Sequence, residues 1–157
     1  MNVLGIDPGL KGGVAVLALD SSVLSVTEMP DLPKLCAVIR DGVFVHAFVE
    51  QVSVRPGQGI SSGFKFGTGY GGILGALTAL GVRFTLLRPQ AWHKVVHLGT
   101  SGEDTKERSN QAAQRLWPKQ SWLASARSRV NHDGMQEAAL IGYAGIKLLG
   151  LDNQRTA

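Results

Sequence analysis

The segment Val43–Glu50, Val-Phe-Val-His-Ala-Phe-Val-Glu, is apolar at both odd and even positions. An amphipathic strand needs cover on one face; a strand apolar on both faces needs cover on both, as the central strand of a layered sheet has. Three short β-type runs precede it. Val3 to Asp7 stops at the turn signal Asp7-Pro8-Gly9, and Gly13 to Leu19 and Val23 to Met29 follow. Links this short join antiparallel neighbours, so the three form a meander. A helix from about Leu32 to Arg40 stands between the meander and Val43. The order predicts an α/β fold with a mixed sheet rather than a sandwich.

Downstream, residues 53–63 are polar and Gly-rich, and about Ser62 to Leu80 reads as a helix whose many glycines make it dependent on packing. Val82 to Leu87 is a fifth strand and Pro89 to His97 a short helix with Pro at its start. Asp104 to Leu116 is a polar helix ended by Pro118, residues 119–131 are basic and patternless, and Asp133 to Leu149 is the last helix. There is no repeat or linker, so the 157 residues predict one domain spanning 1–157. No apolar run approaches the ~20 residues of a membrane span. The start of the chain lacks a basic n-region, Cys36 has no partner for a disulfide, and no Cys/His zinc spacing occurs. These features lead us to expect a soluble cytoplasmic protein with no membrane partner.

Charge is unevenly placed. Residues 1–50 hold six acids and three bases, residues 51–132 three acids and eleven bases, and residues 133–157 three acids and two bases. The basic middle suits a polyanion. Its three tryptophans, Trp92, Trp117 and Trp122, read as core or interface rather than as stacking platforms. Two motifs are decoys. Gly59-Ile-Ser61-Ser-Gly63 matches a nucleophile elbow but lacks the strand that must run into the serine. Gly67-Thr-Gly69-Tyr-Gly-Gly72 matches a dinucleotide fingerprint, yet follows no strand and has no acid ~20 residues on. Glycines there read as allowing close helix packing or close approach of a backbone.

The informative anomaly is carboxylates in costly places. Asp7 ends the first strand and Glu50 the fourth; if these strands are parallel neighbours, both acids emerge at one edge of the sheet. In the last helix Leu140, Ile141, Ala144 and Leu148 form an apolar stripe that extends through Glu137 to Asp133. Two acids on a core-facing stripe are expensive unless compensated. Four converging carboxylates repel one another, and hard divalent cations such as Mg²⁺, with Mn²⁺ as substitute, relieve this through oxygen ligands. Two such ions, about 3.5–4 Å apart, suit an in-line displacement at a phosphodiester.

Gly5-Ile6-Asp7-Pro8-Gly9, then Gly12-Gly13-Val14-Ala15-Val16, a strand ending in Glu50, and His132-Asp133-Gly134-x-x-Glu137-Ala138 together resemble the RuvC family of Holliday junction resolvases. The resemblance runs from residue 4 to about residue 149. It implies an RNase H-like fold with a five-stranded mixed sheet, and a homodimer that nicks a four-way junction in pairs. It further implies that Asp7, Glu50, Asp133 and Glu137 bind two Mg²⁺ ions and that Lys106 approaches the scissile phosphate. Lys94, or its neighbour His93, falls near a second such position. Phe64 and Phe66 lie where the family contacts bases at the crossover. Lys65, Arg88 and Arg108 complete the expected DNA contacts, and His132 is a candidate general base. The bacterial pattern has two aspartates three apart on the last helix, whereas here Asp133 and Glu137 are four apart. That spacing and Pro89-x-x-Trp92 look closer to the phage and viral branches.

The resulting expectation is a Mg²⁺-dependent, structure-selective endonuclease of branched DNA that leaves 5′-phosphate and 3′-hydroxyl ends and uses no nucleotide cofactor. One alternative is a non-catalytic module that binds branched DNA on the same fold. Another is an ASKHA-type phosphotransferase, which also opens on an Asp-x-Gly turn but needs two such domains to clamp ATP.

Overall fold

The computed structural model describes residues 1–53, 57 and 59–152. The apolar runs become strands β1 (Asn2–Asp7), β2 (Gly13–Ala18), β3 (Val23–Glu28), β4 (Phe44–Glu50) and β5 (Phe84–Leu87). They form one sheet in the order β3-β2-β1-β4-β5. Pairs joined by short turns, β1/β2 and β2/β3, are antiparallel, whereas β1/β4 and β4/β5, whose connections contain helices, are parallel. The helices are α1 (Leu32–Asp41), α2 (Ile60–Ala79), α3 (Pro89–Val96), α4 (Thr105–Leu116) and α5 (Asp133–Leu149).

Strand periodicity sorts the core into two layers. Val3 and Phe48 join residues of α3, α4 and α5 on one face; Leu4, Ile6, Ala47 and Val49 join α1 and α2 on the other. Asp7 has the parity of Val3 and Gly5, and Glu50 that of Phe48. Both acids therefore belong to the α5 face, and since Ile6 pairs with Val49, Asp7 and Glu50 end side by side.

Close backbone contact seats α5 there. A Cβ on Gly5 would lie 2.0 Å from the Ala138 carbonyl oxygen and 2.7 Å from the Gly142 nitrogen, and one on Gly134 would lie 2.2 Å from the Lys11 carbonyl oxygen. Helix backbone thus rests on strand backbone, with the start of α5 at the carboxyl end of β1. The helix is buried almost all round from Gly134 to Ile146 rather than along a stripe. Leu140, Ile141 and Ala144 are in the core as expected, but Leu148 is 50% exposed. The reason is length: α5, 17 residues, is about 25 Å long, whereas the six-residue β1 spans about 20 Å, so the last turn overhangs the sheet.

The glycines of α2 correct a second expectation. Gly72 does pack closely, a Cβ there lying 3.3 Å from the Leu32 side chain, but among the described residues space within 4 Å of a Cβ at Gly67, Gly69, Gly71 or Gly75 is empty. Trp92 and Trp122 are core residues, at 1% and 3% exposure. Trp117 is partly buried against them and hands its indole N–H to the Ser21 carbonyl. Ser61 of the apparent nucleophile elbow is an exposed residue in the first turn of α2, and among the described residues no strand runs into it.

Candidate active site

Where β1 and β4 end, the sheet opens into a cleft of about 1030 Å³, walled by α3 and by the starts of α4 and α5. Asp7, Glu50, Glu137, Lys106, Arg88 and Phe66 all line it. Asp133 stands at the lip, half exposed, where its carboxylate takes an ion pair of 2.9 Å from Lys106. That pair pushes the Lys106 ammonium pKa up, through the hydrogen bond first and then the charge.

The carboxyls strain against one another. Glu137 is pushed up to about 8, first by burial and then by the negative charges of Asp7, Glu50 and Asp133. Asp7 is also raised by burial, against the opposing pull of the Gly9 N–H and of His132. Each acid outside Glu137 meets a protein donor: Asp7 Oδ1 accepts from the Gly9 N–H at 3.1 Å, and Glu50 Oε1 from the Trp92 indole at 3.0 Å. Arranged so, no three His, Cys, Asp or Glu side chains among the described residues stand close enough to ligate one ion. In donor chemistry and charge, however, the set fits hard divalent cations. It is all oxygen, and its four carboxyls gather around one cleft, with Lys106 and Arg88 as the cations beside them.

Other expected residues lie apart from the cleft lining. Phe64, 75% exposed, and Lys65 sit on the solvent side of α2, and Lys94 on the exposed side of α3, while its neighbour His93 lines the cleft. Arg108 is committed inside the protein: Nε donates to Thr100 Oγ1 at 3.1 Å and Nη2 to the His97 carbonyl at 3.4 Å. With Arg115, which donates to the Val96 and Leu98 carbonyls, it satisfies the C-terminal end of α3. His132 caps α5, Nδ1 accepting the Met135 N–H at 3.3 Å, and its Nε2 lies 3.7 Å from Glu28. The nitrogen lone pair a general base requires is thus already engaged.

Trp92, which the sequence reading took as core or interface, also reaches the cleft and donates to Glu50. Its bond to Glu50 crosses 42 positions of sequence, and nothing in the local pattern signals it.

Comparison with protein-family models and with curated proteins finds no match. Solved structures do match. Thermus thermophilus RuvC superposes with a TM-score of 0.62 at 19% identity, over 94% of this chain and 96% of that one. T. thermophilus RuvC in complex with a Holliday junction substrate gives 0.67 at 15% identity, over 96% of each chain. The chain has the RuvC fold. This is the RNase H-like mixed sheet expected from the motifs. Both RuvC structures are bacterial, and they lend no support to a phage or viral branch. Among the described residues no helix is long and apolar enough to cross a membrane.

Proposed function

We propose that this chain is a divalent-metal-dependent, structure-selective DNA endonuclease that resolves four-way junctions, acting as a homodimer. The observation that carries the reading is the cleft of converging carboxyls on a RuvC fold, with Glu137 forced up to about 8 by burial first and then by the neighbouring carboxylates. Asp7, Glu50, Asp133 and Glu137 are the residues that would hold Mg²⁺ or Mn²⁺. Ions bound there would supply an activated water and stabilise the leaving oxygen of an in-line displacement, giving 5′-phosphate and 3′-hydroxyl products.

The chain's own residues prepare that site. Trp92 fixes the Glu50 carboxylate through its indole N–H. Asp133 holds the Lys106 ammonium at the lip, where it meets an incoming phosphate, and Arg88 offers a second cation in the cleft. The excess of bases in residues 51–132 supplies attraction to the backbone irrespective of sequence. A four-way junction presents two symmetry-related strands. One cleft per chain therefore suits a two-fold dimer, with each copy nicking one strand.

The test is cleavage of an end-labelled synthetic four-way junction in Mg²⁺, beside a linear duplex, by the wild type and Asp7→Asn. Paired nicks in the junction alone, lost in Asp7→Asn with binding retained, are the expected result. Binding without cutting in either Mg²⁺ or Mn²⁺ would identify a non-catalytic junction-binding module instead. Cutting that survives Asp7→Asn would place the active site elsewhere.

A further inference from the structure

The connection from α4 to α5 takes no part in the site described above, and none of the motifs that carry the resemblance to RuvC falls within residues 118–131. Residues 118–132 hold Lys119, Arg127 and Arg129 and no acid. The chain leaves α4 at Trp117, whose indole is bonded to the Ser21 carbonyl, and re-enters the core at Trp122. It then runs outward from Leu123 to Asn131 and closes on itself, the His132 N–H donating to the Trp122 carbonyl at 2.7 Å. A surface loop whose ends meet in this way is an Ω-loop. Its neck is also fixed to α4, where Asn131 Nδ2 donates to Asn110 Oδ1 at 3.1 Å. Its tip is turned by the Ser128 N–H, which donates to the Ser125 carbonyl at 3.0 Å, with the two serine hydroxyls 3.0 Å apart. Arg127 and Arg129, on either side of Ser128, are both exposed.

Other bases of α4 have duties inside the protein. Arg108 and Arg115 close the end of α3, and Lys106 is paired with Asp133. Among the described residues, the side chains of Arg127 and Arg129 enter no ion pair. Two guanidiniums held near one another with no acid between them repel, and a run of phosphates relieves that repulsion. The guanidinium fork also matches phosphate oxygens in geometry. Position supports the same partner. The loop returns to His132 and Asp133 at the lip of the cleft, so at ~3.6 Å per residue the Arg129 backbone stands within about 14 Å of Asp133 and that of Arg127 within about 22 Å. A duplex leaving the cleft on this side presents backbone phosphates over that reach, about half a helical turn.

We propose that the loop from Leu123 to Asn131 is a second DNA-contacting surface, outside the cleft, on which Arg127 and Arg129 hold the backbone of a duplex arm adjoining the nicked strand. The proposal rests on the nuclease reading for its substrate, and its test keeps binding and cutting apart. Arg127→Ala/Arg129→Ala removes two exposed side chains and should leave thermal unfolding unchanged. In Ca²⁺ at about 0.1 M salt its Kd for a four-way junction should rise about 10-fold or more, and the slope of log Kd against log salt should fall by about 1–2. The single-turnover rate in Mg²⁺ at saturating protein should stay within about twofold of wild type. Arg127→Lys/Arg129→Lys, which keeps both charges, should keep the slope. Neutral methylphosphonates in one arm, about two to four nucleotides from the cut, should weaken wild-type binding but add little to the alanine variant.

A Kd for the alanine variant within about twofold of wild type, with the slope unaltered, overturns the proposal. So does a loss of saturated rate as large as the loss of binding, which would place the arginines in the cleft. A variant that no longer forms the wild-type oligomer in light scattering overturns it too, since the loop would then be a contact between copies. Should the wild type bind junctions but cut none, the nuclease reading falls, and the Kd and salt slope in Ca²⁺ still decide the role of the loop.

Discussion

Replacing Glu137 by Gln asks whether the acid cluster holds together against its own charge. Without metal, Glu137 keeps its proton until about pH 8, whereas in the unfolded chain it titrates near 4.5. Through that window the folded state retains a proton that the unfolded state has released, so stability falls as pH rises. At about 1.36 kcal/mol per pH unit, the window is worth on the order of 5 kcal/mol, a ceiling because water in the cleft screens the charges. His97 works in the opposite sense. Burial pushes it down to about 4 from 6.5, the nearby His93 and Arg108 adding to the shift, so its contribution is present above 6.5 and lost as pH falls towards 4. The two slopes offset one another between about 4.5 and 6.5, and wild-type stability should decline mainly between about 6.5 and 8. The difference between Glu137→Gln and wild type isolates the carboxyl. In urea unfolding with EDTA, the two proteins should agree within about 1 kcal/mol at pH 5, and the variant should be more stable by about 2–4 kcal/mol at pH 9. Added Mg²⁺ should close the gap by binding only the ionised wild-type cluster. Equal stabilities at both pH values, or a less stable variant at pH 9, would refute the electrostatic account.

Trp92→Phe keeps an aromatic core residue but releases Glu50; the Mg²⁺ concentration for half-maximal cutting should rise about 10–100-fold, with the rate at saturating Mg²⁺ much less affected. Gly134→Ala forces a Cβ against the Lys11 carbonyl and should cost at least about 3 kcal/mol by thermal or urea unfolding, whereas Gly71→Ala, with nothing nearby, should be neutral or stabilising by about 1 kcal/mol. Junction affinity measured in Ca²⁺ should fall about 10–100-fold between 50 and 200 mM salt if about three phosphates are neutralised; an affinity independent of salt would remove the basic middle of the chain from the interface.

The parts of this protein that could be read from its sequence are those governed by local rules. Short apolar, β-type runs and turn chemistry located the five strands, and the ends of β1 and β4 placed Asp7 and Glu50 together because parallel neighbours share an edge. Helical spacing put Glu137 and Asp133 on one side of α5. What local rules could not supply were contacts across the chain. Arg108 looked like one of a run of DNA-facing bases, yet it closes the end of α3, because those carbonyls lie opposite α4 in three dimensions only. Lys94 and His93 are adjacent in sequence, and a rotation of about 100° per residue decides which of them meets the cleft. The overhang of Leu148 depended on how long β1 is relative to α5, a comparison no single segment contains.

The seating of α5 on β1 and β2 through Gly5, Gly13, Gly134 and Gly142 bears on how this site endures change. Most distances in a protein core are set by side chains, and every substitution there shifts them a little. Here main chain touches main chain at Gly5, Gly13 and Gly134, so peptide dimensions bear directly on the gap separating Asp7 from Glu137. The apolar residues around it can be exchanged for others of similar bulk while the gap keeps its width. A handful of glycines thus insulates the carboxyls from drift in the surrounding core, leaving the rest of the sequence free to diverge.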